Sequence, residues 1–516
     1  MALKTHKIPL SETGQFSTLF MDYINGEKKL DSFYTYKPAI ESFGQAIEDK
    51  SREHINREVL VDVLKQQYTR MQKSEIANPD VEKLLDKNTY TVCTGHQLCL
   101  FTGPLYFIYK IVSTINLAEA LKKQYPNINV VPVYWMASED HDFAEISTVN
   151  LFGKKVSWNN PGAKAAVGRL NTDSLKDVIA ELKQILGESA NATELIVLFE
   201  TAYLKHSSLA DATRYLVHQL FGAYGLIVLD ADDARLKMEF MEVMKDDIRN
   251  NTNYKLVSES IKQLNALGYD AQVNPREINV FKLTNTERTR IEKADDASLN
   301  LKPEEYSPNV VLRPLYQQMI LPNLAYIGGP GELAYWLEYK TMFDYYGVAF
   351  PVLMPRNFAL LTDEKTNQQI QKLGFETEAI FKDADTLIKE FVNKNASAEL
   401  SLKEQEDKLT AVYAEISAKA AAVDVTLKGS VESELQKAVN ALKNIEGKLV
   451  RSEKQKQETS INQVKKLKDK FFPEGTLQER YDNVGPYYLK SGKQLIPELK
   501  ETFDPFDFRM MIATMN

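Results

Sequence analysis

Thr89-Tyr-Thr-Val-Cys-Thr-Gly-His-Gln-Leu-Cys-Leu-Phe-Thr-Gly-Pro104, followed after one helical segment by Asn129-Val-Val-Pro-Val-Tyr-Trp-Met-Ala-Ser-Glu-Asp-His-Asp142, decides the fold of this chain. Thr89–Thr94 is a short β-prone run that ends at Gly95. A loop follows, then an apolar helical pattern from Leu105 to Lys123, then a second buried strand from Asn129 to Trp135. Strand, loop, helix and strand in that order favour a parallel sheet with a right-handed crossover. Pro132 has no N–H to give a ladder, so it requires an edge position or a missing bond.

Working outward, three more strand-like runs end in polar residues or glycine. Gly225-Leu-Ile-Val-Leu-Asp230 precedes a helix, Leu324-Ala-Tyr-Ile-Gly328 precedes Gly-Pro-Gly-Glu332, and Pro351-Val-Leu-Met354 precedes Pro355-Arg356. Helices are expected at 208–222 and 332–346. Five such strands predict an α/β, doubly wound, Rossmann-like core. Segments 150–207 and 254–322 are too long for simple crossovers and read as insertions. The first carries a small β piece at Val149–Trp158, the second a β-hairpin across Asn274–Glu292. Residues 1–88 read as mostly helical and polar, with a surface helix in 40–72 whose apolar positions include Ile55, Val59 and Val63.

Composition changes near 376. Residues 399–470 are rich in Ala, Glu, Lys, Leu and Ser, and Val431, Leu435, Ala438, Leu442, Ile445 and Leu449 recur at alternating steps of four and three. That is a coiled-coil seam. Leu402, Leu409, Val412, Ile416 and Val423 form a looser one before it, so an antiparallel hairpin is expected. Its second helix, 426–470, reads as longer than the first, 399–423, and its unmatched part as packing on the core and on a second subunit in a homodimer. The expected domains are a core at 1–375, a helical coiled-coil domain at 376–470, and a segment at 471–516 that returns to the core.

The bulk numbers exclude several classes. At 516 residues with 44% hydrophobic side chains, a large core forms without disulfides. Two cysteines, Cys93 and Cys99, suit a reducing cytoplasm. The first residues lack the apolar core of a signal peptide, and no run approaches ~18 apolar residues, so no membrane span is expected. A net charge of −8 argues against a broad nucleic-acid surface.

Three strand ends carry candidate chemistry. In the first, Thr94, Gly95, His96, Gln97 and Gly103 join a strand to a helix, where backbone amides, an imidazole and a carboxamide can meet a phosphate or carboxylate. An ordinary strand-to-helix turn explains the same glycines. In the second, Glu139, Asp140, His141 and Asp142 follow a buried strand. His141 exchanges a proton near neutral pH, while Asp140 or Asp142 orients it, binds an amine or holds Mg²⁺; a solvated charged loop is the alternative. The third, Gly329, Gly331 and Glu332, is a backbone cradle or a packing turn. Arg313 and Arg356 suit bidentate carboxylate or phosphate recognition, or are surface ion pairs. No second histidine lies at ligand spacing to His141, so no zinc site is expected.

These residues resemble a known family. Thr94-Gly-His-Gln-Leu-Cys-Leu-Phe-Thr-Gly-Pro-Leu-Tyr106 and Pro132-Val-Tyr-Trp-Met-Ala-Ser-Glu-Asp-His-Asp-Phe143 are similar to signatures of the cysteine ligases of bacillithiol biosynthesis. So are Ser307-Pro-Asn-Val-Val-Leu-Arg-Pro314, Gly329-Pro-Gly-Glu-Leu-Ala-Tyr-Trp336 and Leu477-Gln-Glu-Arg480. Cys99 stands where the family usually has glycine, Ala144 replaces a frequent acidic residue, and no Lys-Met-Ser-Lys-Ser counterpart occurs. The resemblance implies a Rossmann core like that of class I aminoacyl-tRNA synthetases, two connecting insertions and a coiled coil that dimerises. It also implies addition of L-cysteine to glucosaminyl-malate. A free carboxylate is a poor electrophile, so amide formation needs activation, most simply by ATP with Mg²⁺; no tightly bound cofactor is expected. On this reading Thr94–Gln97 and Gly103 take the nucleotide or activated carboxylate. His141 is the acid/base, Asp140 or Asp142 holds the amine, and Arg313 and Arg356 meet the malate carboxylates. The rival readings are a synthetase-like nucleotidyltransferase acting on another small carboxylate and a non-catalytic coiled-coil scaffold.

Overall fold

The computed structural model describes residues 2–160, 164–396 and 399–515. Positions 161–163 of the first insertion and 397–398 of the helical region lie outside them. The chain forms two units, 1–362 with 476–516, and 363–475. These divide at Thr362/Asp363 and Gly475/Thr476, whereas composition alone placed the boundaries at 375/376 and 470/471.

The first unit is built on five parallel strands: β1 (Thr89–His96), β2 (Asn129–Met136), β3 (Ile227–Asp230), β4 (Asn323–Gly328) and β5 (Val352–Pro355). Their order across the sheet is β5-β4-β1-β2-β3. This is the Rossmann-like arrangement, in which the direction of winding reverses between β1 and β4. β1 and β4 have no exposed residue, as strands covered on both faces require. Pro132 is reconciled by register. It faces Val92 of β1, but β3 begins pairing only at Val133, so Pro132 lies just outside that ladder.

Helix α1 (Leu105–Gln124) follows β1, and fourteen of its twenty residues are buried. One side meets β1 and β2, and the helices Gln478–Tyr481 and Leu495–Thr502 of the C-terminal segment lie against it. Asn116 ties the last of these down by donating to the carbonyls of Lys500 and Phe503. The chain ends close on each other: strand Lys4–Ile8 pairs antiparallel with Met510–Met515, which also adjoins Phe358–Asp363. The expectation that residues 1–88 are helical misses this first strand, because its partner lies some 500 residues away. The expected surface helix in 40–72 is two helices, Phe43–Ser51 and Arg57–Thr69. Asn56 interrupts it by accepting the Val59 amide as an N-cap. The insertions contain the antiparallel hairpin Thr148–Leu151/Lys154–Ser157 and the sheet Arg288–Arg290, Val280–Leu283, Tyr306–Pro308.

The loop between β1 and α1 is strained. Phe101, Thr102 and Gly103 have φ of 50°, 73° and 64°, a run that residues other than glycine rarely adopt. Buried Asn483 holds it by donating to the carbonyls of Phe101 and Gly103, each at 2.7 Å. Asn483→Ala orphans both, at about 1–3 kcal/mol per buried carbonyl. Urea titration of the purified variant should show that loss; an unchanged midpoint would remove Asn483 as the clamp.

The second unit is helical: α2 (Ala384–Asn395), α3 (Lys403–Val423), α4 (Leu427–Lys456) and α5 (Glu458–Phe471). α3 and α4 form the hairpin, and the bond from the Leu402 amide to Glu446 shows that they run antiparallel. Val431, Leu435, Ala438 and Leu442 lie partly covered along its seam, as expected. Ile445 and Leu449 do not, being 49% and 39% exposed. A helix of 3.6 residues per turn drifts from a strict heptad, and beyond Leu442 the covered positions step to Glu446 and Val450. Val412, Ile416 and Val423 are likewise exposed, while Leu402, Leu409 and Tyr413 face inward. The expected continuous helix 426–470 breaks at Gln457. Beyond the break Ile461, Val464, Leu467 and Phe471 are buried, and α5 packs on α2 within its own unit.

Candidate active site

A cavity of about 660 Å³ opens at the carboxyl ends of β1, β2 and β4, where the winding reversal leaves a crevice. Gly95 at the end of β1 permits the close approach of its wall: a Cβ there would lie 3.3 Å from Tyr326 Oη and 3.5 Å from Arg313 Nη1.

Gly95, His96, Gln97, Glu139, Asp140, Arg313, Gly329, Gly331, Glu332 and Arg356 all line this cavity. The other sequence-derived candidates do not. Thr94 is buried and donates to the Ile327 carbonyl, bracing β1 on β4. Gly103 faces Cys99, where a Cβ would come within 2.6 Å of the Cys99 Cβ, so it serves packing of the strained loop. Asp142 caps the short helix Phe143–Ile146 through the Glu145 amide. His141 lies outside the lining and is half exposed, 3.1 Å from Arg288 Nη1 through Nδ1. A guanidinium only donates, so that contact makes Nδ1 the acceptor and leaves the proton on Nε2. The sequence reading missed Tyr106, Asn274, Arg276, Arg288 and Arg480.

The charged groups sort by partner. Glu332 receives Lys110 Nζ on both oxygens at 2.8 Å, the Tyr326 hydroxyl at 2.7 Å and the Gly329 amide at 2.8 Å. Burial opposes its ionisation, but Lys110 and these bonds hold its carboxyl down at about 2. Arg356 is buried and pairs with Glu479 at 2.6 Å. Glu139 pairs with Lys237 at 2.7 Å, and burial still raises its carboxyl above the ordinary range. Those three are committed to the protein itself.

What remains is asymmetric. Asp140 accepts from Gln97 Nε2 at 2.9 Å. Burial opposes its charge, but that bond, the Arg288 charge and the amides of Asp142 and His141 outweigh it and keep the group ionised. Arg276, Arg313 and Arg480 have no carboxylate partner among the described residues. Arg313 donates to Gln317 and acts on the Tyr335 hydroxyl, and its buried Nη2 has no well-formed hydrogen bond among the described residues. His96 is pushed down to about 3 by burial and by Lys110, so it is neutral. Among the described residues, the pocket thus sets one carboxylate without a lysine partner beside a neutral imidazole and four guanidiniums without a carboxylate partner, of which Arg288 is bonded to Ser307, His141 and the Pro308 carbonyl. No group of three or more His, Cys, Asp or Glu able to hold a metal occurs among the described residues.

Two family models cover nearly the whole chain. The N-terminal Rossmann-like domain of bacillithiol biosynthesis BshC matches residues 3–357, and the C-terminal coiled-coil domain of BshC matches 359–515. The chain belongs to the BshC family. A BshC relative from Flavobacterium psychrophilum, named “Putative cysteine ligase BshC”, is 42% identical over 527 residues, covering 98% of each chain. A relative of the same name from Christiangramia forsetii is 40% identical over 534 residues, covering 99% of each. Membership identifies the protein as an enzyme of the ligase type with the two domains seen in the fold. No described helix is long and apolar enough to cross a membrane.

Proposed function

We propose that this BshC protein joins the carboxylate of L-cysteine to the amine of glucosaminyl-malate, forming an amide in the cytoplasm. The observation that carries the reading is the charge asymmetry of the pocket. Glucosaminyl-malate offers two carboxylates and an amine. Arg276, Arg313 and Arg480 suit the first, and Asp140 the second, because planar guanidinium forks match carboxylates and a carboxylate attracts an ammonium. Arg356, neutralised by Glu479, holds the wall rather than the substrate.

Amide formation expels a carboxylate oxygen, so that oxygen must leave on an activating group, which ATP supplies as cosubstrate. The donor set fits an anion: neutral His96 can donate one hydrogen bond, and Arg313 brings an Nη2 with no well-formed hydrogen bond among the described residues. Mg²⁺ would arrive with the nucleotide, since the described residues offer no cage of three or more His, Cys, Asp or Glu. Asp140 holds the amine near the activated carbon while its proton is lost, and His141 at the rim takes that proton through solvent at Nδ1, the one basic nitrogen its tautomer leaves, in exchange for the Arg288 contact. Purified protein incubated with cysteine, glucosaminyl-malate and ATP should yield the cysteinyl amide by mass spectrometry. Absence of product with each substrate present, but turnover of another small carboxylate, would overturn the assignment.

The hairpin is proposed to join two copies. Val412, Ile416 and Val423 recur at steps of four and seven on one face of α3, and Ile445 and Leu449 stand out on α4; all are at least 39% exposed. Ile416→Glu with Ile445→Glu is expected to give a monomer by light scattering. A variant that stays dimeric, or a wild type monomeric at micromolar concentration, sinks the role.

A further inference from the structure

Residues 267–279 run between helix Thr252–Ala266 and strand Val280–Leu283 without helix or strand, and bring Asn274 and Arg276 to the cavity wall. Both ends of this segment are tied down. Tyr269 donates to Asp22 with Lys29 over its ring, and the Asn279 amide donates to Asp247 while Asn251 holds the Glu277 carbonyl. Among the described residues, the middle of the segment bonds to the rest of the unit through Glu338. Its Oε1 accepts the Gln272 amide at 2.6 Å, and the Val273 amide faces the same carboxyl. Glu338 lies two residues beyond the end of the helix Pro330–Trp336, whose first turn is cavity wall.

Glu338 is fully buried, its Oε2 has no hydrogen-bond partner, and it forms no ion pair among the described residues. Its ionisable neighbours are Tyr335, raised to about 12, and Tyr339, well above its ordinary value and donating to the Val310 carbonyl. Burial raises both, so neither is charged near neutrality. We propose that Glu338 is a positioning residue that seats segment 271–276, and with it Arg276, against the pocket, and that it releases the segment as pH rises.

The sign follows from burial. A buried carboxyl without a cation prefers its neutral form, and burial lifts Glu338 from 4.5 to about 7 against the pull of the two amides. Lifting the segment lets water reach the group and returns it toward its ordinary value. The seated form therefore binds the proton more tightly than the lifted form. Raising pH from 4.5 through about 7 favours lifting, and above that interval the effect is complete. Glu338→Gln keeps a neutral acceptor at every pH and stays seated.

Hydrogen exchange in full-length protein tests this without reference to substrate. Corrected for chemical exchange, protection of the peptide spanning 268–278 should fall about tenfold from pH 6 to 8.5 in the wild type and stay flat in Glu338→Gln. Equal protection at both pH values in the wild type, or the same fall in Glu338→Gln, overturns the proposal. The kinetic arm rests on the proposed anionic substrate at Arg276. KM for glucosaminyl-malate should rise about threefold over that range in the wild type, with the change confined to KM. Arg276→Gln should raise KM at every pH and flatten its pH dependence. A flat wild-type KM beside pH-dependent protection would overturn the placement of substrate at Arg276, and would leave the seating role standing.

Discussion

Asp140→Asn lowers kcat for the proposed ligation by about 10²–10⁴-fold, the range for losing a positioned group at the reacting atoms. The substitution keeps the shape of the side chain. Among the described residues it removes the only cavity-lining carboxylate that has no lysine partner, since Glu139 belongs to Lys237 and Glu332 to Lys110. It also sets a carboxamide against the Gln97 Nε2 that Asp140 now accepts. Asp142→Asn is the control: that side chain caps a four-residue helix outside the lining and should cost no more than a few-fold. His141→Ala should fall between them, losing both the proton acceptor at the rim and its contact with Arg288. Initial rates on folded, purified variants decide the order. Wild-type turnover in Asp140→Asn would remove the carboxylate from the mechanism.

The sheet was legible because each parallel strand is a short buried run closed by glycine or a polar residue, and each needs only its neighbours in sequence to be recognised. β1 and β2 announce themselves this way, and so do the runs that become β3, β4 and β5. Strand Lys4–Ile8 was not legible. Its residues alternate only weakly, and what makes them a strand is pairing with Met510–Met515. The hairpin was legible in kind but not in detail. A seven-residue repeat identifies the helices, yet which face is covered depends on a drift of the seam that Ile445 and Leu449 do not reveal locally.

The site divides in the same way. Residues at strand ends, from Gly95 to Gln97 and at Glu139 and Asp140, could be named because the fold puts ligands there. Arg276 and Arg288 come from an insertion read as carrying a β-hairpin across Asn274–Glu292 but no site residue, and Arg480 from the returning tail. For Arg480 a signal existed in Leu477-Gln-Glu-Arg480, but no local pattern says that it reaches the cavity. At His141 the adjacent Asp140 and Asp142 were the expected orienting groups. Arg288, more than a hundred residues later, engages its Nδ1.

Lys110→Met destabilises the first unit by about 3–5 kcal/mol, the cost of stranding a buried charge. Lys110 comes from α1, and its ammonium is buried between the Gly95 carbonyl and both oxygens of Glu332. It thereby pins the end of β1 to the turn after β4, the two strands that frame the cavity. Glu332 is held at about 2 against an ordinary 4.5. A depressed carboxyl contributes stability that is present above pH 4.5 and is lost as pH falls toward 2. In Lys110→Met that contribution should vanish and reverse, because the carboxylate stays buried without its cation. Pairing the change with Glu332→Gln removes the stranded charge and should recover much of the loss, leaving the weaker cost of the Gly329 and Tyr326 bonds. Thermal melts of the single and double variants at pH 5 and pH 8 read both effects. A single variant as stable as the wild type, or a double variant no better than the single, would show that this pair does not hold the two strand ends together.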